Sequence, residues 1–466
     1  MTTPITFGAG LLGLLLVSGA AVAHGGAGHC GGTWAGVDGD MRRGCPSWSS
    51  SAAVAAAPTA SYDYPYRDPY LATITAAVLN PDGLTPGLRR EVIRVPVLPG
   101  RDRLPALEGR GDMSITFYRS DGPAPLLFIL SGIGSNPYFG LSTYFAELFH
   151  ARGYHVVILP SPMTWGFALT ASRSGVPGYA PADARDLYLA MQRTLEVLRA
   201  RHEVQVKGVS FMGASLGALE GAYLSVLDGE ERRIGIQRYL LINPPLDVPA
   251  AMAKLDAWRA LRVELGREKV EKIGATALGI VNSISESRRT DPAGFRISVA
   301  VDRMAKDFSR MSTEELQFLI AENVHTTLPE LVYVTQAIRD RGVLAAPADQ
   351  PRKRLQEAKA VTLLDYRDKI ALPTWGFANV ASMGAAGSFG AILDRIRDNP
   401  RVYVMHNADD VLSDRDALLA LKEALGERMT LYPYGGHLGN LWYRENREHI
   451  LAALGTTTEN QRTAAR

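Results

Sequence analysis

The sequence predicts an α/β protein with a doubly wound, mostly parallel sheet, and three observations indicate this class. Continuous apolar runs such as "PLLFILSG" and "YHVVILP" end at glycine or proline, as strands buried on both faces do. Amphipathic helical patterns alternate with these runs along the chain. The connections between them are short, as in βαβ units. In such a sheet we expect functional side chains at the carboxyl ends of the strands.

The first segment, residues 1–23, differs in composition from the rest of the chain. Its run "ITFGAGLLGLLLVSGAAVA" (Ile5 to Ala23) is uncharged and ends in an A-x-A pattern, which predicts a secretory signal peptide. No Lys or Arg precedes this run, and it is just long enough to span a bilayer, so an uncleaved membrane anchor is the alternative. Either form predicts an exported protein, whether periplasmic, secreted or membrane-anchored.

Residues 24–85 are rich in Gly, Ala, Ser and Pro and predict a flexible linker. Both cysteines of the chain, Cys30 and Cys45, lie in it; export would permit a disulfide, and their pairing is left open. Two histidines lie nearby, but the composition favours a tail with a local loop, and no metal or cofactor is predicted. The remaining chain has no cysteine, which excludes a thiol nucleophile there. The net charge of +2 gives no reason to expect a nucleic-acid partner.

The first part of the core, residues 86–246, begins with two alternating segments, "EVIRVPVL" and "SITFYRS", that predict strands. Helices then separate the buried strands. The helix "STYFAELFHARG" ends at Gly153, where a C-cap glycine belongs, and "PADARDLYLAMQRTLEVLRARH" has proline and acids in its first turn. The run "VQVKGVSFMG" predicts the next strand, a helix follows from Ala214, and "RYLLINPP" predicts a further strand.

Residues 247–399 interrupt this alternation with mostly helical patterns, of which "STEELQFLIAENV" is among the clearest. Strand character returns in the second part of the core, residues 400–466, with "RVYVMHN" and "RMTLYPYGGH". The helix "WYRENREHILAAL" follows them. Because the insertion is longer than a simple crossover requires, we predict a helical cap over the carboxyl edge of the sheet.

The stretch "VSFMGASLGALEGAY" contains a G-x-S-x-G centred on Ser215, with a predicted strand before it and a helix after it. A serine nucleophile needs a base, and the base needs an acid that orients it. Asp409 and Asp410 follow one later strand and His437 follows the next, so all candidates fall at one edge of the sheet. One of the two acids is expected to have only a turn or capping role.

These motifs resemble those of the α/β-hydrolases, in particular the capped serine hydrolases with "H-G-x-x-D" before the acid and "G-G-H" at the histidine. The resemblance covers about residues 90–455 outside the insertion. It implies a triad of Ser215, His437 and Asp410, with Asp409 as the alternative acid. In "HNADD", Asn407 replaces the usual glycine.

The resemblance also implies an oxyanion hole made by two backbone N–H groups. One belongs to Leu216, the residue after the nucleophile. The other comes from the loop "SGIGS", where Ser131 replaces the histidine usual in the family. We assign Ile133 N–H as this second donor, with the neighbouring glycines at 132 and 134 as alternatives.

The implied function is hydrolysis of a carboxylic ester through an acyl-enzyme, without a cofactor. The large cap favours a hydrophobic small-molecule or lipid-like substrate. An amidase or peptidase, or an acyltransferase, is the alternative on the same triad, and a non-catalytic exported binding protein of this fold is the alternative of another class. Membrane association through residues 1–23 and the oligomeric state are left open.

Overall fold

The computed structural model describes residues 62–79, 88–101, 111–135, 140–291 and 294–455. An eight-stranded sheet lies at its centre, in the order β1-β2-β4-β3-β5-β6-β7-β8. The first pairings, β1 with β2 and β2 with β4, are antiparallel, and all the others are parallel. The predicted class is therefore confirmed. The strands are β1 Glu91–Val95, β2 Met113–Tyr118, β3 Ala124–Leu130, β4 His155–Leu159, β5 Val206–Ala214, β6 Ile236–Ile242, β7 Val402–Asn407 and β8 Met429–Tyr432.

Helices follow the strands as a doubly wound sheet requires, and they bury its central strands. The whole of β4 is buried, as expected of an apolar strand covered on both faces. The longest helix of this first part has proline in its first turn and three basic residues in its last turn, which suits the helix dipole. The helices before the insertion are α1 Pro69–Thr75, α2 Leu141–His150, α3 Trp165–Thr170, α4 Ala180–His202 and α5 Leu216–Glu231.

The segment between β6 and β7 is helical, and parts of it lie over the carboxyl ends of the strands. A π-helical turn, Tyr366–Ala371, joins two of its helices. Its helices are α6 Val248–Ala260, α7 Arg262–Thr290, α8 Ile297–Phe308, α9 Thr313–His325, α10 Leu328–Ile338, α11 Pro351–Ala358, α12 Leu363–Asp365, α13 Leu372–Trp375, α14 Val380–Gly387 and α15 Leu393–Arg397. After the insertion come α16 Arg415–Leu425 and α17 Arg444–Leu454.

A buried contact between His325 and Asp256 fixes three of the cap helices to one another. His325 of α9 donates through Nε2 to Asp256 of α6 at 2.7 Å and through Nδ1 to the Ala321 carbonyl at 2.7 Å. The Asp256 carboxylate also accepts the N–H groups of Leu363 and Leu364 at the start of α12. The cap therefore has an internal polar anchor of its own.

The linker prediction is wrong for residues 62–79. The side chains of Tyr62 and Tyr64 are buried, and α1 begins at Pro69 with Asp68 as its N-cap. The averaged Gly, Ala, Ser and Pro content of residues 24–85 concealed the aromatic stretch "YDYPYRDPY", whose rings can be buried while their hydroxyls find partners. The predicted signal peptide, the two cysteines and the other linker residues lie outside the described residues. In the part of the chain that is described, no helix is both long and apolar enough to cross a bilayer.

Candidate active site

Ser215 occupies the sharp turn between β5 and α5. Its backbone has φ 55° and ψ −126°, a conformation that residues with a side chain seldom adopt, and its N–H donates to the Ile242 carbonyl at 2.9 Å. A Cβ atom at Gly213 would collide with the Gly217 carbonyl, and one at Gly217 would collide with the carbonyl of Leu130. Both glycines of the G-x-S-x-G are thus required by close backbone contacts, and the turn holds the serine hydroxyl at the carboxyl edge of the sheet.

A chain of hydrogen bonds joins Ser215 to His437 and Asp410. Ser215 Oγ lies 2.9 Å from His437 Nε2. His437 Nδ1 lies 2.9 Å from Asp410 Oδ2 and 3.2 Å from Oδ1. The carboxylate accepts the Nδ1 proton, which leaves Nε2 free to accept the serine proton. The structure therefore brings together the three side chains that the sequence predicts as a triad.

Asp410 is buried and has the hydrogen bonds that an ionised carboxylate requires. Asn243 Nδ2 donates to its Oδ2 at 2.7 Å, and the Leu412 N–H donates to its Oδ1 at 2.9 Å. Burial acts to raise the pKa of this carboxyl, but the electrostatic interaction with His437 and the hydrogen bond from it act the other way, and the net pKa lies below the usual value. Asp410 is thus held as an anion beside the histidine.

Asp409, the alternative acid, contacts the backbone of the loop before His437 and not the imidazole ring. Its carboxylate accepts the N–H groups of Gly435 and Gly436 at 3.2 and 2.9 Å and fixes the turn that leads to His437. Burial raises the pKa of Asp409 to about 6, although these two hydrogen bonds lower it. Its hydrogen bonds give it a role in the shape of the loop, as one of the two acids was expected to have.

Sequence reasoning missed Asn243, which touches the acid directly. It follows β6 at the same edge as the triad and has a φ of 48°. Its position after a strand was the available signal, but an asparagine before two prolines looks like an ordinary turn residue. His406, also beside Asp410, donates through Nε2 to the Pro244 carbonyl at 3.2 Å and accepts the Asn407 N–H through Nδ1 at 3.0 Å. It is therefore neutral, and burial lowers its pKa.

The loop after β3 lies against the serine. A Cβ atom at Gly132 would lie 2.8 Å from Ser215 Cβ and 3.1 Å from the Leu216 nitrogen. Ser135 Oγ donates to the Gly132 carbonyl at 2.6 Å, which fixes the turn. Ile133 and Leu216 both border the cavity in front of Ser215. The roles of their N–H groups as oxyanion-hole donors stay a prediction.

A cavity of about 270 Å³ opens in front of the triad. This volume is just below the range of about 300–1,000 Å³ common for small-molecule sites. None of the described residues that line it is Asp, Glu, Lys or Arg. Its apolar walls come from α1 and the residues that follow it, from the cap and from the core. They include Ile74, Ala76, Ala77, Val248, Ala251, Met252, Leu255, Phe308, Leu319 and Ile320. Among the described residues no group of acidic, histidine or cysteine side chains could hold a metal ion.

The strand order, the serine turn after β5, the acid after β7 and the histidine after β8 are those of the α/β-hydrolase fold. No protein-family model and no curated protein matches the sequence.

Solved structures do resemble it. The thioesterase domain from the curacin biosynthetic pathway has 12% identity and a TM-score of 0.34, over 78% of this chain and 99% of the domain. A mutant of the esterase rPPE has 12% identity and a TM-score of 0.40, over 83% of this chain and 86% of the esterase. The acylaminoacyl peptidase of Pyrococcus horikoshii has 10% identity and a TM-score of 0.38, over 78% of this chain, which spans 40% of the peptidase. At such identities the likeness concerns the fold alone.

Proposed function

We propose that the protein is an exported serine hydrolase that cleaves carboxylic esters with an uncharged, hydrophobic acyl group. The observation that carries this proposal is the hydrogen-bonded chain Ser215–His437–Asp410 at the mouth of a cavity whose described lining residues include no Asp, Glu, Lys or Arg. No cofactor is invoked.

The geometry supports acyl transfer to water in two steps. His437 Nε2 takes the proton of Ser215 as Oγ attacks the ester carbonyl, and the charge that develops on the carbonyl oxygen faces the N–H groups of Leu216 and Ile133. The imidazolium then gives its proton to the alkoxide that leaves, and an acyl-enzyme remains. Water attacks this ester with the same histidine as base, so the acid is released and Ser215 regains its proton. Asp410 stays ionised and holds the ring in place.

The cavity favours an uncharged ester over an aminoacyl amide. A substrate with a free ammonium or carboxylate group would lose its hydration on entry, and the described walls offer no charged partner to replace it. Neutral acyl groups suffer no such penalty. Neutral amides, and transfer to an alcohol in place of water, would use the same groups and are outcomes of the test below.

Two measurements test the proposal. A fluorophosphonate probe should label the wild type and the exposed-site control Ser287→Ala, but not Ser215→Ala; a folded wild type that resists the probe would refute it. A panel of p-nitrophenyl esters of graded chain length, with aminoacyl anilides beside it, should show activity on the esters. Activity on the anilides alone would make the protein an amidase or peptidase.

Export is a separate part of the proposal and depends on residues 1–23. N-terminal sequencing of protein recovered from an expressing bacterial cell should give His24 as the first residue of a cleaved, exported form. A membrane-bound form that retains residues 1–23 would support the anchor, and a cytoplasmic form would contradict export.

A further inference from the structure

We propose that residues 62–79, called here the N-terminal segment, belong to the active site: Thr73 positions His437, and the residues that follow it limit the acyl group. The inference rests on the proposed function and assigns further residues to the same site. These residues precede β1, the first strand of the sheet, and no motif of the triad extends to them.

Thr73 makes direct contact with the catalytic loop. Its Oγ1 accepts the N–H of His437 at 2.9 Å and donates to the Pro69 carbonyl at 2.6 Å. The hydroxyl is thereby oriented by α1 and holds the backbone of His437 in place. The ring of this residue must contact both Ser215 and Asp410. Because proton transfer requires hydrogen-bond geometry between base and nucleophile, a shift of this backbone would misplace Nε2.

The loop around His437 is shaped to fit α1. A Cβ atom at Gly436 would collide with the Pro69 carbonyl, and one at Gly439 would collide with the carbonyl of Ala72. Gly439 also accepts the hydroxyl of Thr75 through its carbonyl at 3.0 Å. The glycines on both sides of His437 thus allow an approach of two backbones that no other residue would permit.

A buried polar network continues this contact on the far side of the loop. Asn407 Nδ2 donates to the Gly436 carbonyl at 2.8 Å, and Asn440 Nδ2 donates to Asn407 Oδ1 at 2.7 Å. Asn440 Nδ2 also donates to the Tyr62 hydroxyl at 2.9 Å, which itself donates to Asn446 Oδ1 at 2.8 Å. Through Tyr62, the N-terminal segment therefore supplies one acceptor and one donor to this buried network.

The same segment forms one wall of the cavity. Thr73, Ile74, Ala76 and Ala77 line it, opposite α6 and α9 of the cap. Here α1 also contacts the cap itself, since the ring of Tyr70 packs edge-on against Trp258 of α6. The small side chains of Ala76 and Ala77 leave space that a larger residue would fill. The length of acyl chain that fits should depend on them.

The positioning role is tested with Thr73→Val and Thr73→Ser. Loss of the acceptor for a part-buried N–H should lower kcat about tenfold, while KM on a short ester changes little. Thr73→Ser keeps a hydroxyl and should restore most of kcat, and the matched control Thr290→Val, at an exposed threonine of α7, should match the wild type. If Thr73→Val retains the wild-type kcat, or if the serine variant is as slow as the valine variant, the positioning role is wrong. Thermal unfolding of each variant separates a misplaced loop from a lost fold.

The specificity role is tested with Ala77→Leu on the graded p-nitrophenyl esters. The added carbons should lower kcat/KM for the longest esters by about tenfold or more relative to the acetyl ester, because the larger side chain would occupy space that a long acyl chain needs. An unchanged chain-length profile would overturn this role. A wild type that neither takes the fluorophosphonate nor cleaves esters would refute the proposed function and this inference together, whereas an active wild type with unaffected variants refutes the inference alone.

Discussion

Replacing Asp410 by asparagine exchanges one carboxylate oxygen for an NH₂ group at almost constant size. Both oxygens of Asp410 accept N–H groups: Oδ2 from Asn243 at 2.7 Å and Oδ1 from Leu412 at 2.9 Å. An amide has one oxygen, so in either orientation its NH₂ group faces a donor. With the oxygen toward Leu412, the NH₂ group lies at the position of Oδ2, 2.9 Å from His437 Nδ1. It then donates to Nδ1 and forces the proton onto Nε2.

The imidazole can no longer accept the serine proton in that tautomer. With the oxygen toward Asn243, it still accepts the Nδ1 proton, but the NH₂ group opposes the Leu412 N–H and the negative charge that stabilises the imidazolium is lost. Replacement of a triad acid by its amide costs about 10⁴-fold in kcat, which corresponds to about 5 kcal/mol of barrier. We expect Asp410→Asn to show a loss of that order, with KM much less affected.

Asp409→Asn is the matched control, because the two acids are neighbours in the chain. Its amide oxygen can keep one of the hydrogen bonds from Gly435 and Gly436, so it should lose at most about one neutral bond, or about tenfold in kcat. Both variants are compared on the best p-nitrophenyl ester, with thermal unfolding to verify the fold. An Asp410→Asn enzyme within tenfold of the wild type, or a larger loss in Asp409→Asn, would refute the assignment of the acid.

Three further predictions concern stability. Glu220 of α5 is buried, and neither of its carboxylate oxygens has a hydrogen-bond partner in the described chain. Burial raises its pKa. As the pH rises above the usual pKa of a glutamate, the unfolded chain therefore releases a proton that the folded state keeps. Glu220→Met should therefore add about 1–3 kcal/mol to the free energy of unfolding at pH 8 and less at pH 4; a gain that shrinks with rising pH in denaturant titrations contradicts this. Gly213→Ala should lower the free energy of unfolding by about 1–3 kcal/mol or more, because its Cβ would collide with the backbone of Gly217. Gly279→Ala in α7, with open space around it, should not, and equal effects of the two substitutions would refute the role of the close contact. Asp256→Ala should cost about 3–5 kcal/mol and speed hydrogen exchange in α6 and α9, and unchanged exchange there would show that the pair with His325 anchors nothing.

The strands and the serine turn could be predicted because their signals are local. A strand, the sharp turn at Ser215 and a helix occupy one short stretch, and chain order then places an acid and His437 at the same edge. The choice between Asp409 and Asp410 depended on the H-G-x-x-D motif of the α/β-hydrolases that the sequence resembles, because both acids follow the same strand. In the structure the two adjacent carboxylates face different partners.

The contacts of the N-terminal segment could not be predicted, because its partners are remote in sequence. Thr73 meets His437 across 364 positions, and Asn243 meets Asp410 across 167. Nothing in the local pattern of either residue indicates such a partner. The averaged composition predicted a flexible linker at Tyr62 and Tyr64, whereas both side chains are buried. They pack against residues that are remote in sequence, Trp442 and Tyr443.

During synthesis the protein cannot assemble its active site until the chain extends past His437. The serine turn and the strands around it come first, the acid and His437 follow only after the insertion, and Thr73 must wait for a partner near the opposite end. Contacts over such separations form late and slowly, because loop closure must precede them. A growing chain therefore carries its nucleophile without a competent base. Catalysis therefore requires that His437 has been made and has come into contact with Ser215.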